Sequence, residues 1–221
     1  EGEYSGAGGR VQPSLSQEVG IDVSVFTRDG IERVMRYAFE LALTRPKKQL
    51  TLVTKSNAQR HRMLLWDEVF EKLKHDYPRI TTDRMLVDAI TTRMVLQPQS
   101  LDTIVATNLH ADILSDLAAA LSGSLGIGPT ANINPERTFP SMFEPIHGSA
   151  FDLVGKDLAN PLGAFWSCVM MLEHLQEKKG ASLLMSAIEE VCQEGRHLPK
   201  DLGGNSCTGE VTTAVCAALK K

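Results

Sequence analysis

Three short apolar runs, each followed by a stretch of helical periodicity, constrain this chain more than any other feature. "QLTLVT" precedes the amphipathic stretch "AQRHRMLLWDEVFEKLKHDY", closed by Pro78; "DRMLV" precedes "DAITTRMVL", closed by Pro98; "LDTIVAT" precedes "LHADILSDLAAALSGSLG". Strands that alternate with helices pair in parallel, because the helix carries the chain back across the sheet face. The rhythm therefore predicts an α/β fold, a parallel or mixed sheet flanked by helices. Ahead of it, "RDGIERVMRYAFELALTR" places Ile31, Val34, Met35, Ala38, Leu41 and Ala42 at helical spacing, with Pro46 as its stop. Residues 1–28 hold Gly6, Gly8 and Gly9 and then the alternating run "IDVSVFT", which reads as an extended or hairpin-like excursion.

After Gly126 the text turns to loop through Pro161. Three helices follow: "LGAFWSCVMMLEHL", "ASLLMSAIEEVCQEG" and the C-terminal "TGEVTTAVCAALKK". A domain boundary is expected near residues 122–126. Net charge is −4 and no Lys/Arg run stands out, which excludes a nucleic-acid partner; no apolar run reaches the ~20 residues of a membrane span. Cys168, Cys192, Cys207 and Cys216 lack CxxC spacing and read as reduced, mostly packed thiols of a cytoplasmic protein.

Polar residues mark the carboxyl end of each strand, the edge where open α/β sheets bind ligands. Lys55 follows "TLVT", Asp88 follows "MLV" and Asn108 follows "TIVAT". Taken singly, Asp88 and Asn108 are equally read as helix N-caps and Lys55 as a solvated charge. Asp112 and Asp116 lie four apart on one helix face, where two carboxylates repel. A divalent cation between them removes the repulsion. With Asp88 they offer a two- or three-carboxylate set of the hard-oxygen kind that Mg²⁺ or Mn²⁺ takes. "GAGGR" does not match the dinucleotide fingerprint. "EPIHGSAFDLVGKDLANP" gathers Glu144, His147, Gly148, Ser149 and Asp152 on a tight loop before Asn160; it is open between an adenosine cradle and a plain structural loop.

The runs "EGEYSG", "VTKSNAQ", "LVDAI", "TNLHADILSDLAAALSGSLGIGPTANI" and "FEPIHGSAFDLVGKDLANP", in that order, resemble the metal-dependent β-decarboxylating dehydrogenases, the family of the isopropylmalate, isocitrate and tartrate/D-malate enzymes. "EGEYSGAGGRV", "KSNAQRHRMLLWDEVF" and "TNLHADILSDL" are most similar to its tartrate branch. The resemblance implies an isopropylmalate-dehydrogenase-like fold, N-terminally incomplete: the family carries a long portion ahead of "EGEY", with substrate-gripping arginines. It divides the chain into a dimerisation arm (1–28), a small domain with metal site and dimer interface (29–122), and the second half of the large cofactor domain (123–221).

The same resemblance implies Tyr4 and Lys55 as catalytic residues and Asp88, Asp112 and Asp116 as ligands of Mg²⁺ or Mn²⁺. Asn57 falls on the nicotinamide side; Glu144, His147, Gly148, Ser149, Ala150, Asp152 and Asn160 fall around the adenosine. Asp152 followed by Leu153 resembles the NAD-using members, since a 2′-phosphate there would face a carboxylate with no Arg or Lys to receive it. The implied partners are a small 2-hydroxy dicarboxylic acid and a second copy of the chain, in a homodimer whose sites are shared, Lys55 and Asp88 serving the partner's. Tartrate is the first candidate substrate and D-malate or 3-isopropylmalate the alternatives; a non-catalytic fragment that keeps only the dimerisation surface is the rival reading.

Overall fold

A computed structural model describes residues 2–220. Glu1, at the head of "EGEYSG", and Lys221, last in the expected C-terminal helix, lie outside the described residues. The chain forms two compact units, Glu1–Leu117 and Ala118–Lys221, so the division falls inside a helix a few residues before the turn at 122–126.

The first unit opens with an antiparallel hairpin, β1 (Gly2–Val11) and β2 (Val19–Val25). Its regular register runs from Ala7↔Val23 to Val11↔Val19 and is interrupted between Gly2 and Ala7. Nearly every residue of both strands is exposed, including Val11, Val19, Ile21, Val23 and Val25. Then come α1 (Arg28–Thr44) and three parallel strands, β3 (Gln49–Thr54), β4 (Thr81–Leu86) and β5 (Thr103–Val105), in the order β4-β3-β5. The connecting helices are α2 (Arg62–Leu73) and α3 (Val87–Leu96); α4 (Asn108–Leu121) follows β5.

Thr27 caps α1, its hydroxyl accepting from Gly30 N at 3.1 Å. The helix then buries Ile31, Met35, Ala38, Phe39 and Ala42 against Leu50 and Leu52 of the central strand and Met63, Trp66, Val69, Phe70 and Leu73 of α2. Phe39 lies between two rings, 5.3 Å from Phe70 and 4.6 Å from Tyr77. β3 is buried along almost its whole length, as a central parallel strand must be. The second helix begins four residues later than its periodicity suggests. The carbonyl of Lys55 accepts from both Ala58 N and Gln59 N, so the residues after β3 are spent in a turn.

In the second unit α5 (Leu162–His174), α6 (Lys178–Glu194) and α7 (Thr208–Ala218) share a core of Leu162, Val169, Ala181, Ala187, Ile188, Val191, Val211 and Val215. The stretch expected to be loop holds an antiparallel pair, β6 (Pro129–Asn132) and β7 (Met142–Pro145). "PTAN" and "MFEP" are four residues long, carry a proline each and lack apolar alternation; packing against α5 makes them strands. Gly163 permits that packing, since a Cβ there would stand 2.8 Å from the Gly126 carbonyl and 3.3 Å from that of Gly128.

No described helix is long and apolar enough to cross a membrane. The four cysteines are unpaired, but the expectation of packed thiols is corrected: Cys168, Cys192 and Cys216 are exposed on their helices and only Cys207 is half-buried.

Candidate active site

The sheet's carboxyl edge carries two polar pairs. Lys55, first residue after β3, is half-buried and donates to Asp88 Oδ1 in the first turn of α3. The ammonium beside it holds the exposed Asp88 carboxyl below the usual carboxylate range. Asp88 is therefore an ion-pair partner; the helix cap is Leu86, with no side-chain hydrogen bond. Asn108 likewise does not cap α4. Thr107 does, accepting from His110 N at 3.4 Å through Oγ1 and from Ala111 N at 2.8 Å through its carbonyl.

The second pair joins residues 108 positions apart: the Tyr4 hydroxyl donates to Asp112 Oδ2 at 3.2 Å. Partial desolvation and the adjacent carboxylate push the phenol above its ordinary value, keeping it protonated. Asp112 and Asp116 are both exposed, one turn apart on α4. His110 is buried on that helix, and burial pushes its imidazole down, toward the neutral form.

Among the described residues of one chain, no three His, Cys, Asp or Glu side chains come together to hold a metal. Asp112 and Asp116 supply two hard oxygen donors; Asp88, engaged by Lys55, does not join them within the chain. Asn57 is exposed in the turn after Lys55.

The second unit contains an open cavity of about 610 Å³, the size of a small-molecule site, lined by residues that include Ser124, Gly126, His147, Gly148, Ala150, Leu153, Asn160, Lys200 and Asp201. Ala150 takes a left-handed backbone, φ +41, that folds the 147–153 loop over. His147 Nδ1 donates to the Gly148 carbonyl at 3.0 Å. Of the expected adenosine residues, His147, Gly148, Ala150 and Asn160 line the cavity; Glu144, Ser149 and Asp152 are exposed and do not.

Asp201, unforeseen in the sequence, is the organising group of one wall. Its Oδ2 accepts from Asn160 Nδ2 at 2.9 Å and from the Ser124 hydroxyl, while Asn160 Oδ1 accepts from Leu162 N at 2.9 Å. Only the "KDLGG" turn marks it, a pattern that reads as loop. Lys200 lines this cavity as well, beside Asp201.

The isocitrate/isopropylmalate dehydrogenase domain matches residues 1–217. The chain belongs to that family. Among its curated relatives within the isocitrate/isopropylmalate dehydrogenase family, a probable tartrate dehydrogenase/decarboxylase of Agrobacterium vitis is 63% identical over 219 residues, 99% of this chain and 61% of the relative. The decarboxylating D-malate dehydrogenase of Escherichia coli K12 is 48% identical over 99% of this chain and 62% of its own length. The isocitrate dehydrogenase of Methylococcus capsulatus superposes with a TM-score of 0.93 at 38% identity, over all of this chain and 65% of that one. The chain thus spans about 60% of the length of the curated relatives it matches.

Proposed function

We propose that the protein oxidises a 2-hydroxy dicarboxylic acid with NAD and a divalent metal ion, with decarboxylation, and that tartrate is the first candidate substrate. One arrangement carries the reading: the Lys55 ammonium, just past the end of β3, paired with Asp88, and the Tyr4 phenol, brought by the hairpin onto Asp112 of α4. The names of the relatives at 63% and 48% identity favour tartrate and then D-malate; the family as a whole keeps 3-isopropylmalate as a further alternative.

In this reading Asp112 and Asp116 hold Mg²⁺ or Mn²⁺ together with Asp88 of the partner subunit, the sharing that the family resemblance implies. Bound there, the cation supplies Lewis acidity toward the substrate hydroxyl. Lys55 of the partner subunit takes the hydroxyl proton, and Tyr4 gives its proton to the carbon that loses CO₂. Asn57 borders the nicotinamide, and the cavity walled by His147, Gly148, Ala150, Asn160 and Asp201 takes the adenosine, with Glu144, Ser149 and Asp152 on its outer rim. The exposed valines and isoleucine of the hairpin, and Val95, Leu96 and Ile113 on α3 and α4, support a homodimer. Free thiols and water-soluble reactants fit a cytoplasmic setting.

The test is NADH formation by the intact protein with D-tartrate, meso-tartrate, D-malate and isopropylmalate, with Mn²⁺, Mg²⁺ or chelator. Turnover that needs the metal and is lost in Asp112→Asn, with the circular dichroism spectrum unchanged, is expected. No metal-dependent turnover on any of the four acids would refute the reading.

A further inference from the structure

Tyr4 belongs to a strand that does little to hold it. Residues 3–6 fall in the interrupted part of the β1–β2 register, and the hairpin beyond them is exposed on both faces. Within that stretch the Ser5 hydroxyl donates to the Val23 carbonyl at 2.6 Å, a tie to the other exposed strand and not to the body of the unit.

Glu3 supplies the fixation. Neighbours along a strand face opposite ways: Tyr4 is 59% exposed, whereas the Glu3 side chain is 11% exposed. Glu3 Oε1 accepts from Arg62 Nη1 at 2.9 Å and from Thr107 Oγ1 at 3.3 Å. Arg62 opens α2. Thr107 is buried and caps α4, the helix that carries Asp112. The Arg62 guanidinium also lies 5.5 Å from the centre of the Phe26 ring, just past the end of β2, and Phe26 meets Trp66 of α2 edge-on at 6.0 Å. One arginine therefore grips both strands where the hairpin leaves the body of the unit.

We infer that the Glu3–Arg62 pair is a positioning device that fixes the base of the hairpin on α2 and so keeps the Tyr4 phenol at Asp112. An apolar pair would fill this space with less desolvation cost. It would not define direction as a carboxylate shared by an arginine and a threonine does. Glu3 Oε2 and His110 Nδ1 are buried nearby without partners, a further sign that the pocket is not built for stability alone. The inference rests on the reading of Tyr4 as the proton donor, and its test separates the two.

Arg62→Met in the intact protein is expected to lower kcat about tenfold or more, the scale of a displaced reacting group. KM for hydroxy acid and for NAD should stay within about twofold, and Arg62→Lys should restore part of the loss. In a Tyr4→Phe background the same change should cost less than about twofold, because its effect passes through the missing hydroxyl. Equal losses in both backgrounds, or no loss in either, would overturn the inference. Glu3→Gln repeats the cycle with a nearly isosteric side chain should Arg62→Met fold poorly. Amide exchange supplies a readout apart from activity: residues 2–8 should exchange faster in Arg62→Met while residues 49–54 do not change. If Tyr4→Phe alone leaves turnover intact, the proton-donor reading fails; the anchor is then judged by exchange, and unchanged rates over 2–8 overturn it.

Discussion

Gly126→Ala adds one carbon at a crowded point of the cavity wall. That carbon would stand 2.6 Å from Asp201 Oδ2, 2.9 Å from Asn160 Cβ and 3.0 Å from Asn160 Nδ2, where ordinary contact begins near ~3.5 Å. The Gly126 backbone is one that any residue adopts, so the effect is steric. The carboxylate does not swing aside freely, because it accepts from Ser124 and Asn160, and Asn160 is tied in turn to the first turn of α5. Relief means giving up at least one hydrogen bond to a charged group, about 1.5–3 kcal/mol. Expressed in the bound state of a nucleotide that uses this wall, the loss is roughly 10- to 150-fold in affinity. Titration of the intact protein with NAD, followed calorimetrically, should show that weakening, and KM for the hydroxy acid should be unmoved. Gly148→Ala, on the same cavity with no atom within 4 Å of the new carbon, measures a methyl that meets no protein atom. An NAD affinity for Gly126→Ala within about twofold of the parent, below ~0.5 kcal/mol, would refute the argument.

Phe39→Ala removes a fully buried ring stacked between Phe70 and Tyr77, and chemical denaturation should show the first unit losing about 3–5 kcal/mol; a loss under about 1.5 kcal/mol contradicts the packing described. Asp67→Ala frees Ser56, whose hydroxyl donates to Asp67 Oδ2 at 2.8 Å, and with it the turn bearing Lys55 and Asn57. Steady-state kinetics should show kcat reduced about tenfold, and unchanged kcat would mean that the turn holds its shape without this bond. Arg36 holds the Glu32 carboxyl below its ordinary value, so this pair stabilises the fold above that ordinary value, and its contribution disappears as pH falls through the lowered one. Stability-versus-pH curves for Arg36→Gln should therefore be flatter in the acid range and unchanged in slope near neutrality.

Local signals carried the first unit's architecture in the sequence. Continuous burial gives β3 its apolar run, so its bounds coincide with "QLTLVT", and Thr27 and Pro46 frame α1 on both sides. The start of α2 was not legible, because two amides converge on the Lys55 carbonyl and no residue type announces such a turn. β6 and β7 owe their conformation to α5, a tertiary cause with no trace in eight residues of mixed character. The carboxylate pair on α4 was visible from its spacing. Its hydroxyl partner was not, since Tyr4 reaches Asp112 only through the fold. Asp201 was hidden for the same reason: its role is defined by Ser124 and Asn160, distant in the chain.

The bare contact of Gly163 with the carbonyls of Gly126 and Gly128 has a practical meaning for anyone who would retune this cavity for another nucleotide. Main chain rests on main chain there, with no side-chain layer to absorb a change, so an enlarged residue displaces a whole helix. Residues 147–152, on the loop that borders the same cavity, are exposed. Redesign should begin on that loop and leave the glycine corner untouched.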